Sequence, residues 1–65
     1  MWIRSQDKET IIKANSFTID MNRYGRYLIK VNNIVVGTYT SREAAIKVLD
    51  KIQEFYGTND IFQIP

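Results

Sequence analysis

The spacing of apolar residues differs between the first part of this chain and the stretch that follows residue 40. In Phe17-Thr18-Ile19-Asp20-Met21 apolar and polar positions alternate strictly, the period of a strand with one face on a core. From residue 45 onward, Ala45, Val48, Leu49, Ile52, Phe55 and Tyr56 recur at steps of three and four, the period of a helix with one apolar stripe. The helix predicted over 40–57 has both ends marked. Thr40 and Glu43 have the spacing of a capping box, in which the hydroxyl accepts from the Glu43 amide and the carboxylate accepts from the Thr40 amide. Ser41 is the alternative N-cap. Gly57 stands where a left-handed residue ends a helix. Arg42, Glu43, Lys47, Asp50, Lys51 and Glu54 fall mostly on the opposite side, so the stripe is read as core-facing.

Before the helix the signals are those of short strands. Residues 1–5 read as a strand anchored by Trp2, and 6–9 as a polar turn. Residues 10–14 read as a strand that continues, past a kink at Asn15-Ser16, into 17–21. Residues 26–31 and 34–39 are two more strands. Asn32-Asn33 between them tolerates the positive φ of a two-residue type I′ loop, which pairs Val31 with Ile34, Ile29 with Val36 and Tyr27 with Thr38. A three-residue loop Arg23-Tyr24-Gly25, left-handed at Gly25, pairs Met21 with Tyr27, Ile19 with Ile29 and Phe17 with Val31. These registers put Phe17, Ile19, Met21, Tyr27, Ile29, Val31, Ile34 and Val36 under the helix.

The opposite face would carry Thr18, Asp20, Leu28, Lys30, Val35, Gly37 and Tyr39. Leu28, Val35 and Tyr39 are too apolar for a face that is simply wet, so either the Trp2 strand or another chain covers them. After a loop at 58–60, Ile61-Phe62-Gln63-Ile64 has the length of a short edge strand, ended by Pro65, with Phe62 and Ile64 on one face. This tail docks on its own chain or on a neighbour; both remain open at this point. The predicted class is α+β, one domain over 1–65: an antiparallel meander of three to five short strands, one C-terminal-half helix across one face, and a short C-terminal edge strand.

Composition narrows the chemistry. The chain of 65 residues has neither Cys nor His, so disulfides and thiolate or imidazole metal sites are excluded, as is the commonest acid–base side chain. Asp7, Glu9, Asp20, Glu43, Asp50, Glu54 and Asp60 show no paired spacing, and the three glycines form no phosphate-binding loop. No enzyme activity, cofactor or small-molecule substrate is expected. A domain of this size buries only about 60% of the surface its unfolded chain exposes, so self-association is an expected source of stability. No apolar run reaches the length of a membrane span, and the start Met1-Trp2-Ile3-Arg4 lacks a signal peptide's apolar core, which leaves a cytoplasmic location as the expectation. Nine Lys/Arg against seven Asp/Glu give a net charge of +2, too small to make nucleic acid the obvious partner. One basic constellation stands out, Arg23-Tyr24-Gly25-Arg26-Tyr27, with Lys30 nearby; guanidiniums interleaved with phenol rings suit phosphates and stacked bases.

Two resemblances add to this reading. Gly37, Thr38, Tyr39, Ser41, Glu43, Ala45 and Asp50, within 25–51, make that segment similar to the three-stranded DNA-binding domains of plant ethylene-response factors and of the arm-binding regions of integrases. That resemblance implies a sheet face opposite the helix that enters the major groove, where this chain offers Lys30, Arg26 and Arg23 but also Leu28, Val35 and Asp20. The opening Trp2-Ile3-Arg4-Ser5-Gln6-Asp7-Lys8 and the stretch Val48-Leu49-Asp50-Lys51-Ile52-Gln53 resemble short uncharacterised proteins of Gram-positive bacteria and their mobile elements. It implies a bacterial or phage-related cytoplasmic protein and no particular activity. The leading expectation is a non-catalytic interaction module, self-associating or binding a protein through the face opposite the helix, with Trp2, Leu28, Val35, Tyr39, Phe62 and Ile64 as contacts. The alternatives are DNA binding through Arg23, Tyr24, Arg26 and Lys30, and a phage-borne inhibitor of a host protein.

Overall fold

The computed structural model describes residues 1–65. In chain order it contains β1 (Trp2–Arg4), β2 (Ile11–Lys13), β3 (Phe17–Met21), β4 (Tyr27–Val31), β5 (Ile34–Tyr39), α1 (Arg42–Phe55) and β6 (Ile61–Gln63). The fold is α+β, with the helix in the C-terminal half and a C-terminal edge strand. The strands form two three-stranded sheets, of which β3-β4-β5 is the expected antiparallel meander. Sheet β3-β4-β5 is antiparallel; in β2-β1-β6, β1 runs antiparallel to β2 and parallel to β6.

The division falls at the kink between β2 and β3, and one side chain explains it. The Asn32 amide oxygen accepts from the Asn15 and Ser16 N–H groups at 2.8 and 3.1 Å, and its nitrogen donates to the Lys13 carbonyl at 2.8 Å. Backbone groups that a continuous strand would pair are satisfied by this amide, so the chain can leave one sheet for the other without stranded polar groups. A second amide closes the opposite side. The Gln6 N–H donates to the Val36 carbonyl at 2.7 Å, while its side chain accepts from the Thr38 N–H at 2.9 Å and donates to the Thr38 and Pro65 carbonyls. Gln6 thus belongs to the edge of β5 as much as to a turn. Beside it, Ser5 is buried and satisfied: its hydroxyl donates to Asp7 and accepts from the Thr10 N–H at 3.1 Å. The Ser5 hydroxyl, and after it the Glu9 amide, hold the Asp7 carboxyl below its ordinary pKa.

Local turn chemistry sets both hairpin registers. Phe17 faces Val31, Ile19 faces Ile29 and Met21 faces Tyr27, as alternation predicts. Gly25 has φ of 78°, and the Asn22 side chain accepts from the Tyr24 and Arg26 N–H groups, closing the three-residue loop. Asn32 and Asn33 have φ of 52° and 67°, the left-handed pair of a type I′ turn. Val31 faces Ile34 as predicted, but the ladder then shifts by one residue: Ile29 faces Gly37 and Tyr27 faces Tyr39. The extra residue is Val36, and such a bulge moves every later side chain to the other face. Gly37 and Tyr39 therefore lie on the Ile29 side of the sheet, not on the opposite one.

One core joins both sheets and the helix. It contains Ile29, Val31 and Val36 from β4 and β5, Ile3, Phe62 and Ile64 from β1 and the tail, and Ala45, Val48 and Ile52 from α1. Phe17, Ile19, Tyr27 and Leu49 pack at its edge. Full burial of an aliphatic side chain stabilises by about 1.5–3 kcal/mol, and only 12 of 65 residues are buried, so no single one is redundant. Met21 and Ile34, expected under the helix, are largely exposed, because each stands at a strand end beside a turn and one helix does not cover the sheet's corners. Tyr56 is likewise outside the core, as the C-cap of α1; the Phe55 ring lies 5.4 Å from that of Phe62.

The helix begins one residue later than the capping-box reading has it. Ser41 is extended, with φ −131° and ψ 148°, and its hydroxyl accepts from the Ala44 N–H at 3.1 Å. With Ser41 as N-cap the third helical position is Ala44, so Glu43 acts as a first-turn acid against the helix dipole rather than as Thr40's partner. Gly57, at φ 92°, follows the C-cap as predicted.

Candidate interaction surfaces

Three exposed regions carry the candidate residues. The first is the outer face of β3-β4-β5. Leu28 is half-buried there and Val35 is 47% exposed, but Tyr39 is absent, turned to the core side by the Val36 bulge. Its hydroxyl donates to the Pro65 carbonyl, and burial pushes its pKa up. Lys30 on this face is paired with Asp20 at 2.9 Å. The face is thus less apolar than expected, and its one lysine is already matched by a carboxylate. Neither the Trp2 strand nor the tail lies over it; they form the other sheet.

The second region is the β3–β4 hairpin tip. The Arg23 guanidinium lies 5.1 Å from the centre of the Tyr24 ring, which is among the most exposed aromatics of the chain. Arg26 is exposed next to it, its N–H held by Asn22. The structure brings Arg23, Tyr24 and Arg26 together, while Lys30 stands apart in its ion pair. Such a tip can stack and can neutralise a phosphate, and its charge is small.

The third region is the outer face of β2-β1-β6. Ile3, Ile12 and Phe62 form one cross-strand row facing the core; the flanking rows, Trp2 with Lys13 and Ile61, and Arg4 with Ile11 and Gln63, face away. Trp2, Ile11 and Ile61 are 43%, 50% and 54% exposed, with Trp2 on the central strand between the two isoleucines. The expected contacts Phe62 and Ile64 are not surface residues: both are buried in the core of their own chain, because the parallel pairing of β6 with β1 places them on its inner side. Ile11 and Ile61 were missed by the sequence reading, although a signal existed. In a strand of period two, the doublets Ile11-Ile12 and Ile61-Phe62 each force one apolar side chain outward.

Beside α1 runs an open groove of about 460 Å³, lined by Phe17, Leu49, Ile52 and Tyr56 with polar Asn15, Ser16 and Gln53. No three His, Cys, Asp or Glu side chains gather in a cluster that would hold a metal ion. No helix is long and apolar enough to cross a membrane. No family model, curated protein or solved structure matches the chain.

Proposed function

We propose that the chain is a non-catalytic interaction module that docks a protein partner through an outer sheet face. The observation that carries this reading is the Trp2-Ile11-Ile61 patch, three large apolar side chains gathered on one exposed face of a domain with little core. Tryptophan at the centre of such a patch is the residue type most often found to dominate binding energy. The leading expectation from sequence named the face opposite the helix, where Leu28 and Val35 lie; the weight moves to Trp2 on the outer face of the other sheet. A photo-crosslinking residue at position 2 is expected to yield a discrete protein adduct in cells, while the same residue at Lys47, exposed on the helix, yields none. Equal labelling at both positions, or none at either, refutes this surface.

DNA binding is the second reading, favoured by the Arg23–Tyr24 stack at an exposed tip. It predicts that a labelled duplex binds with an affinity that falls steeply with salt, and that replacing Arg23 and Arg26 together with alanine removes most of that binding. Absence of binding at low salt, where phosphate attraction is strongest, rejects it.

A further inference from the structure

The open backbone edge of this fold is β3. Asn32 donates to the Ser16 carbonyl and Asn22 donates to the Arg26 carbonyl, so residues 16 and 22 are hydrogen-bonded partners of β4, and by alternation so are Thr18 and Asp20. The N–H and C=O groups of Phe17, Ile19 and Met21 therefore point away from β4, to a side where no strand lies. The other edges are guarded. Gln6 occupies that of β5, Asn32 takes the Lys13 carbonyl at the end of β2, and β6 is three residues long with Pro65 two positions beyond it. Natural sheets protect their edges with such devices, and β3, five residues long, has no proline or lysine.

We propose that this edge pairs with the β3 of a second copy, antiparallel, about a two-fold axis through Ile19. The inference concerns a different surface from the Trp2 patch and stands independently of it.

The register follows from the strand itself. Pairing β3 with its own copy over its full length sets Ile19 opposite Ile19 and Phe17 opposite Met21, and each of these residues is one whose N–H and C=O point outward. All of them lie on the face that packs toward α1, so apolar meets apolar. Met21, 62% exposed in its own chain, arrives beside Phe17 of the second copy, which is where the groove lined by Phe17, Leu49, Ile52 and Tyr56 lies open. Each copy thus supplies the side chain that the other copy's groove lacks. On the opposite face the charges are compatible: Asp20 stands opposite Thr18 of the second copy, whose neighbour on β4 is Lys30, and each Asp20 is already paired with its own Lys30 at 2.9 Å. A slip of two residues toward the hairpin tip would put Asp20 directly opposite Asp20 and Phe17 opposite Arg23, so this alternative is disfavoured by like charge and by burial. The product is one continuous six-stranded sheet with both helices on one face, an isologous dimer.

Sedimentation velocity from low micromolar to near-millimolar concentration, combined with amide hydrogen exchange, tests this. The expected result is a monomer–dimer equilibrium in which the Ile19 amide slows by about tenfold or more as dimer forms, while Thr18 and Asp20 are protected in monomer and dimer alike. Met21→Asp, at an exposed position, is expected to leave the circular dichroism spectrum and melting temperature nearly unchanged and to raise the dimer dissociation constant roughly 10- to 100-fold. A strict monomer over the whole range overturns the proposal. So does a dimer whose Ile19 amide exchanges as fast as that of the monomer, or one that Met21→Asp leaves intact. A Trp2→Ala variant separates the two surfaces: it is expected to lose the protein partner and to keep the dimer.

Discussion

A chain cut after Asn59 is expected to show no cooperative unfolding transition. The removed segment carries Phe62 and Ile64, 8% and 1% exposed, and two side chains of that kind are a large share of a ten-residue apolar core. Truncating a buried Phe to Ala costs about 3–5 kcal/mol and a buried Ile about 2–5 kcal/mol. A domain of this length has a total stability of only about 3–10 kcal/mol. Hydrogen bonds go with the side chains. The Ile64 N–H donates to the Arg4 carbonyl at 3.0 Å, the Gln63 amide donates to the Ser5 carbonyl at 2.9 Å, and the Pro65 carbonyl accepts from Gln6 and Tyr39. Without β6 the remaining β1–β2 pair is a two-stranded ribbon with a bared apolar side at Ile3, and such ribbons are not stable alone. Thermal melts followed by far-ultraviolet circular dichroism are the measurement. A truncated chain that melts cooperatively within a few degrees of the full-length protein would contradict this account of the tail. Ile64→Ala is the graded version, expected to lower the unfolding free energy by about 2–5 kcal/mol in urea titrations while keeping the transition two-state.

What could be read from the residues, and what could not, divides by sequence distance. The two hairpin loops were legible because turn chemistry is local: Gly25 and Asn32-Asn33 each tolerate a backbone conformation that most residues resist, and the registers of β3 against β4 follow from them. The helix stripe was legible for the same reason, its period being contained within four residues. The parallel pairing of β1 with β6 joins the two ends of the chain, and no local pattern announces a partner that distant. The Val36 bulge falls between these cases. An isolated glycine inside a strand is a recognised sign of a bulge or of close backbone approach, and Gly37 stood there, but strict alternation is the simpler pattern and it places Tyr39 on the wrong face.

The candidate sites follow the same division. Trp2, Val35, Arg23, Tyr24 and Arg26 are at the surface because each sits in a short segment whose alternation or turn directs it outward. Phe62, Ile64 and Tyr39 look like surface contacts in the sequence because much of their cover comes from elements far away in it. Tyr39 reaches Pro65, Ile64 lies against Gly37, and Phe62 meets Phe55. Ile11 and Ile61, exposed on the outer face of β2-β1-β6, take their place as candidate contacts. The open β3 edge and the apolar β2-β1-β6 face are two separate features of this surface, one made of backbone groups and one of side chains.

Gly37→Ala is expected to destabilise the fold by about 1–3 kcal/mol, and Gly37→Val by more, although Gly37 lies in a strand where glycine is ordinarily unfavourable. The reason is the tail. A Cβ at this position would lie 2.9 Å from Ile64 Cγ2 and 3.1 Å from the Tyr39 ring. The first contact is closer than side chains tolerate, and Ile64 cannot yield freely: it is 1% exposed and its N–H is bonded to Arg4. Relief therefore requires the tail to lift off β5, which also breaks the bond from the Tyr39 hydroxyl to Pro65. Two readouts separate this cause from a general loss of stability. Burial holds the Tyr39 phenol above its ordinary pKa, so a lifted tail returns it toward the ordinary value, and alkaline titration of that ring by NMR will report a fall in the variant. In a double-mutant cycle, the cost of Gly37→Ala is expected to shrink by about 1 kcal/mol or more when Ile64→Ala has already removed the offending methyl group. Additive costs for the two substitutions would mean that Gly37 is required by the bulge geometry itself, and not by the chain end that packs against it.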